Sequence, residues 1–138
     1  MLQLDTYLFF DGNCAEAMRF YERTLGGELM LMKNSESPAA SQTPPGDGER
    51  IMHARLTFDG RSLMASDWPS DRPYEGMKGF SLSLVYPTVE EAKRAFDALG
   101  DGGKLTMPFA KTFWAEAFGM CIDRFGTHWM VNGKLAPM

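Results

Sequence analysis

A chain of 138 residues and 15.4 kDa is long enough for one domain that buries about two-thirds of its unfolded surface. Its 44% hydrophobic and 23% charged residues exclude a disordered or collagen-like polymer, and no apolar run approaches the ~20 residues of a membrane span. A net charge of −4 without a basic stripe excludes an ordinary nucleic-acid binder.

The first ten residues, MLQLDTYLFF, have neither the basic segment nor the small-residue cleavage site of a secretory signal. Cys14 and Cys121 are too few for a disulfide framework. The expectation is a cytoplasmic protein with free thiols.

Leu2–Phe10 reads as a strand. Asn13 with Glu16 has the spacing of a capping box. Cys14, Ala17, Met18, Tyr21 and Leu25 then form an apolar helical stripe that Gly26 and Gly27 end. Glu28–Met32 reads as a short strand. The next segment, 34–49 (NSESPAASQTPPGDGE), is rich in proline, glycine and small polar residues. It predicts a long mobile loop, either a functional lid or a dispensable insertion. Arg50–Phe58 alternates apolar and polar residues, Asp59-Gly60 signals a hairpin, and Arg61–Ser66 returns. A proline-containing linker follows.

The second half repeats this order. Phe80–Tyr86 reads as a strand, and Thr88 with Glu91 repeats the capping box. Val89, Ala92, Phe96 and Leu99 form a second stripe, and Gly100, Gly102 and Gly103 end it. Leu105–Met107 predicts a short strand and Pro108–Glu116 irregular chain. Ala117–Ile122 and Thr127–Asn132 predict a strand pair. The helix caps Asn13 and Thr88 lie 75 residues apart, and the hairpin glycines Gly60 and Gly126 lie 66 apart. An internal duplication of a βαβββ unit is the simplest account. The expected fold is α+β: a single domain over 1–138, with module one at 1–67, a linker at 68–78 and module two at 79–138. The two modules would form a curved mixed sheet with a concave cleft.

Two tandem βαβββ modules resemble the vicinal oxygen chelate superfamily, which includes glyoxalase I, extradiol dioxygenases and bleomycin-resistance proteins. The local sequence is most similar to its PhnB-like branch. The resemblance rests on the run from Tyr7 to Ala17 (YLFFDGNCAEA), on Phe20-Tyr21, on Leu63–Asp67 (LMASD) and on Gly79–Leu84 (GFSLSL). It rests most specifically on Phe113-Trp114-Ala115, Phe118-Gly119, Asp123, Phe125-Gly126 and Trp129-Met130. It covers nearly the whole chain apart from the 34–49 loop.

The resemblance implies a fold rather than a reaction. Metal enzymes of the superfamily take one ligand, usually His or Glu, from each of four inward strand positions. Here these positions fall near Thr6, Met64, Phe80 and Met130, none of which suits a hydrolytic or isomerase-type divalent metal. No cofactor is therefore expected, and a divalent metal on rerouted ligands is the alternative. Some members of the branch are labelled methyltransferases, but the chain has no Gly-rich strand–turn–helix for an adenosyl cofactor. The resemblance also implies a homodimer.

Strand alternation places Met52, Ala54, Leu56 and Phe58 on the helix, and His53, Arg55 and Thr57 on the opposite face. In the last strand it places Trp129 and Val131 on the helix, and His128, Met130 and Asn132 opposite. His53, His128 and Glu116 are the candidates for proton transfer, and the alternative for the histidines is plain solvent exposure. Thr6, Arg55, Met64, Phe80, Trp114, Met130 and Asn132 are the candidates for substrate contact. Arg55 can hold an anion or pair with a surface carboxylate. Phe113 and Trp114 can roof a cavity or plug the core. Cys14, at a helix N-terminus, is either an activated thiol or an inert buried one. Met18, Met52, Met64, Met107 and Met130 can give an adaptable cavity lining or ordinary core filling. Three functions fit: an enzyme acting on a small molecule, a binder that sequesters an aromatic or cationic compound, or a dimer without a ligand. No nucleic-acid or membrane partner is expected.

Overall fold

The computed structural model describes residues 1–137. The chain divides into two compact units, Met1–Gly76 and Met77–Met138. Among the described residues no helix is long and apolar enough to cross a membrane.

The first unit contains β1 (Thr6–Phe10), α1 (Cys14–Leu25), β2 (Glu28–Lys33), β3 (Ile51–Phe58) and β4 (Arg61–Asp67). The second contains β5 (Leu82–Tyr86), α2 (Val89–Gly100), β6 (Lys104–Ala110), β7 (Ala115–Ile122) and β8 (His128–Leu135). Each unit is a four-stranded mixed sheet with one helix against it. The strand orders, β1-β4-β3-β2 and β5-β8-β7-β6, are the same order twice. The duplication inferred from the spacing is thus present in the topology, as two sheets in place of one continuous sheet.

Both helices form where the stripes predict. α1 buries Cys14, Ala17, Met18, Phe20 and Tyr21, and α2 buries Ala92, Ala95, Phe96 and Leu99. In unit one these meet Leu8, Phe10, Ala54, Leu56, Leu63 and Ala65. In unit two they meet Ala117, Cys121, Trp129 and Val131. Gly119 lets α2 come close, because a Cβ there would stand 2.7 Å from the Phe96 ring. Asp59 and Gly60 both have positive φ, 47° and 75°, as the tight turn between β3 and β4 requires.

Several boundaries differ from expectation. β1 begins at Thr6 because pairing with β4 begins at Thr6–Leu63, so Leu2 and Leu4 have no strand beside them and stay exposed. β5 begins at Leu82, which leaves Phe80 outside the strand. β6 runs on to Ala110 through Pro108, because it is an edge strand whose pairing is irregular there. Thr88 caps α2, accepting from Glu91 N–H at 3.2 Å, but Asn13 makes no side-chain cap. The N-terminus of α1 is served instead by Asp67, whose Oδ1 accepts from Gly12 N–H (2.9 Å) and Cys14 N–H (3.0 Å). Its Oδ2 accepts from Ile51 N–H at 2.8 Å, so one carboxylate ties β4, α1 and β3 together.

Segment 34–49 carries two short 3-10 turns, Asn34–Glu36 and Ala40–Gln42, where composition predicts an unstructured loop. Its anchor is Asp47, only 2% exposed. The Asp47 carboxylate accepts from Ser70 N–H at 3.0 Å and from the Ser70 hydroxyl. Arg50 stands 3.8 Å from it, and also donates to the Trp68 carbonyl at 2.7 Å and to Asp11 at 3.1 Å. The Ser70 hydroxyl above all, then its N–H, holds the Asp47 carboxyl below the usual range. Most of the linker also belongs with unit one, since Trp68 N–H donates to Phe10 O and the Tyr74 hydroxyl donates to Phe9 O at 2.6 Å.

Candidate functional site

Cross-strand partners point to the same face of a sheet. In unit one, the row Tyr7–Met64–Arg55–Met30 therefore lies on the face opposite α1. Phe9 and Ser66 lie on that face one step further, as do His53 and Met32. The matching row of unit two, on the face opposite α2, is Ser83–Met130–Met120–Met107. Asn132 and Phe118 stand on one side of it, His128 and Ile122 on the other.

This register corrects three expectations. Thr6 pairs with Leu63, which puts it on the helix side, and Tyr7 takes the opposite face. Phe80 precedes β5, and Ser83 is the β5 residue beside Met130. Met52 does not pack on α1. The pairing of β2 with β3 jumps from Met32–His53 to Lys33–Ile51, and Met52 bulges out, 44% exposed, while Ile51 is buried.

The outward positions that take the place of the four expected ligand positions are thus Tyr7, Met64, Ser83 and Met130. A phenol, a hydroxyl and two thioethers do not fit a hard or borderline divalent ion. Among the described residues no three His, Cys, Asp or Glu side chains are grouped to hold a metal.

In unit one, the Tyr7 hydroxyl lies 3.0 Å from His53 Nδ1. With the phenol as donor, the imidazole is neutral and carries its proton on Nε2. The Tyr7 ring also meets His53 (centroids 5.7 Å) and Phe9 (5.3 Å), and Phe9 meets Trp68 edge-on at 5.2 Å. Partial burial first, then the Arg55 charge, lower the His53 pKa below its ordinary value. Folding thus disfavours protonated His53. Its contribution to stability is present above the unfolded-state pKa and is lost as the pH falls through the folded-state pKa. NMR titration of the His53 ring should give a midpoint below 6.5, and Arg55→Gln should raise it.

Beside this cluster lies a cavity of about 410 Å³. Its floor is Ile51, Met52 and Ser66, one wall is Trp68 to Arg72, and the other wall is the 34–49 segment from Ala39 to Asp47. The Trp68 indole N–H is buried without a hydrogen-bond partner among the described residues. Tyr7, Trp68 and Asp47 carry this region. Tyr7 was hidden because TYLFF has no polar alternation to fix its register.

In unit two, Trp114 donates to Asn132 Oδ1 at 3.1 Å and packs edge-on against Phe118 at 5.0 Å. Asn132 also donates to Leu84 O at 3.3 Å, so its amide is already engaged. Trp114 lies against its own sheet, and Phe113 is 82% exposed. Glu116 is exposed and paired with Lys134 at 3.5 Å. His128 and Met130 are half-buried. Burial, then Asp67, pushes the Cys14 thiol far up, and burial, then Asp123, pushes Cys121 up to about 11; both are inert thiols. Met18 is core filling, whereas Met107 is exposed and Met64 half-buried.

A profile of the glyoxalase/bleomycin resistance protein/dioxygenase superfamily matches residues 3–131. Protein YjdN of Escherichia coli is 40% identical over 141 residues, covering 95% of each chain. The crystal structure of PA1353 from Pseudomonas aeruginosa is 48% identical, with a TM-score of 0.89 over 96% of this chain and 97% of that one. The PhnB protein from Bacillus cereus is 26% identical, with a TM-score of 0.79 over 95% of this chain and 98% of that one. The fosfomycin resistance protein FosX from Mesorhizobium loti is 9% identical and shares the fold alone, with a TM-score of 0.60 over 96% and 91%. The chain belongs to the glyoxalase/bleomycin resistance protein/dioxygenase superfamily, and its relatives place it with the PhnB-like branch.

Proposed function

We infer that this protein binds a small molecule against the face of unit one opposite α1, without the four-ligand metal of the superfamily's metal enzymes. The observation that carries this reading is the Tyr7–His53 contact at 3.0 Å, with Tyr7 in the row of Arg55 and His53 in the next. These groups stand among Phe9, Met30 and Met52, all more than 40% exposed. A hydrogen-bonding pair and a cation inside an apolar surface give a ligand both burial and orientation. In the other tautomer, with Nδ1–H donating to the Tyr7 oxygen, Nε2 of neutral His53 is free to accept a proton from a bound substrate. Glu116, tied to Lys134 and 50% exposed, and His128, in unit two, are weaker candidates. A homodimer belongs to the same proposal, and gel filtration at micromolar concentration should show two chains.

Binding and catalysis separate on one comparison. For a compound that raises the melting temperature, affinity is measured on wild type, Tyr7→Phe, His53→Ala and Arg55→Ala. A binder loses tenfold or more in affinity in His53→Ala or Arg55→Ala. An enzyme keeps affinity in His53→Ala and loses turnover. Unchanged affinity and no turnover in all four proteins would refute this location of the site.

A further inference from the structure

We propose that the cavity next to the Tyr7–His53 pair is a recognition pocket for a planar aromatic anion, with Trp68 as its wall and Arg72 as its charge. This deepens the preceding reading and rests on it, by naming the class of small molecule that unit one takes.

The apolar part is flat and firmly held. Trp68 stands edge-on to Phe9 at 5.2 Å, and the bulge turns Met52 toward the same cavity. Aromatic edges and a thioether favour a ring over a branched aliphatic group. The volume of about 410 Å³ accepts two fused rings with a substituent.

The polar part decides the charge. Asp67 and Asp47 both touch the cavity, but both are engaged by the protein: Asp67 accepts three backbone N–H groups, and Asp47 faces Ser70 and Arg50. Arg50 is likewise committed, to Asp11 and the Trp68 carbonyl. Arg72 is different: it lines the cavity, and its guanidinium forms no ion pair within the described residues. A guanidinium in that position matches a carboxylate with two parallel bonds.

A second observation is independent of Arg72. Ser66 lines the same cavity, is only 8% exposed, and its hydroxyl has no partner among the described residues. A hydroxyl that opens on a cavity and has no protein partner is available to a ligand. A ligand oxygen would satisfy it. Gln42, exposed on the opposite wall, adds an amide at the rim.

The test uses full-length protein labelled with 15N. The Trp68 indole signal is assigned from its loss in Trp68→Phe. Three probes of one shape are titrated: 2-naphthoate, 2-naphthalenemethanol and 2-naphthylmethylammonium. The proposal expects saturable movement of the Trp68 signal, with naphthoate binding at least tenfold more tightly than the alcohol and the ammonium. Arg72→Ala should bring naphthoate to the level of the alcohol, and Ser66→Ala should weaken it several-fold.

Equal binding of all three probes, or preference for the ammonium, overturns the anionic class but leaves unit one as a small-molecule site. No movement of the Trp68 signal with any probe overturns the pocket. Tight naphthoate binding at Trp68 that ignores both Tyr7→Phe and His53→Ala supports the pocket and counts against the Tyr7–His53 pair as part of the same site. Each failure is therefore assigned to one of the two readings.

Discussion

Replacing Asp67 with alanine is expected to destabilise unit one by about 3–5 kcal/mol. The carboxylate is buried and accepts from Gly12, Cys14 and Ile51 N–H groups. Removing it leaves three backbone donors beside the start of α1 with no acceptor, and each buried orphan costs about 1–3 kcal/mol. Asp67→Asn keeps one acceptor oxygen and should recover about half of the loss, on the same count of orphaned donors. Urea unfolding measures the total, and hydrogen exchange at Gly12, Cys14 and Ile51 locates it. A loss below about 1 kcal/mol would mean that Asp67 is not the clamp of this unit.

Asp123→Ala should have a comparable effect on unit two, again about 3–5 kcal/mol. Asp123 is 3% exposed and accepts from Phe125 N–H (2.8 Å), Thr127 N–H (3.1 Å) and the Trp129 indole (2.8 Å). One carboxylate thus shapes the turn between β7 and β8 and fixes the largest fully buried side chain of the core. The Trp129 indole signal should move and lose its protection from exchange in Asp123→Ala. An unchanged indole signal with unchanged stability would contradict this role.

The two carboxylates show what a linear reading can and cannot reach. Asp123, Phe125-Gly126 and Trp129 sit within seven residues, so they stand out as a motif in the sequence. Asp67 lies 53 residues from Cys14 and 55 from Gly12. The nearby pair Asn13 and Glu16 suggested a local cap in its place, and only the parallel pairing of β1 with β4 brings Asp67 to the helix start. Asp47 was hidden in the same way, because its partner Ser70 lies 23 residues on. Composition described segment 34–49 as loose, and one long-range anchor makes it a cavity wall.

The helices, the hairpins and the duplication were legible because apolar periodicity and turn chemistry are local signals. The face of β3 that carries His53 and Arg55 followed from alternation. The β1 register did not. In TYLFF every residue after Thr6 is apolar or aromatic, so a shift by one costs the sequence pattern nothing, and it exchanges Thr6 for Tyr7 on the site face. The bulge at Met52 inverts one position for a similar reason, since it depends on the register with β2.

We propose that unit one binds a small molecule through Tyr7, His53 and Arg55 without a metal. The most direct measurement is the melting temperature of chelator-treated, metal-free protein across a small-molecule collection, repeated on His53→Ala. Compounds should raise the melting temperature of metal-free wild type and lose that effect in His53→Ala. Stabilisation that returns only after zinc, nickel, manganese or iron is added back, and that His53→Ala leaves intact, would contradict it.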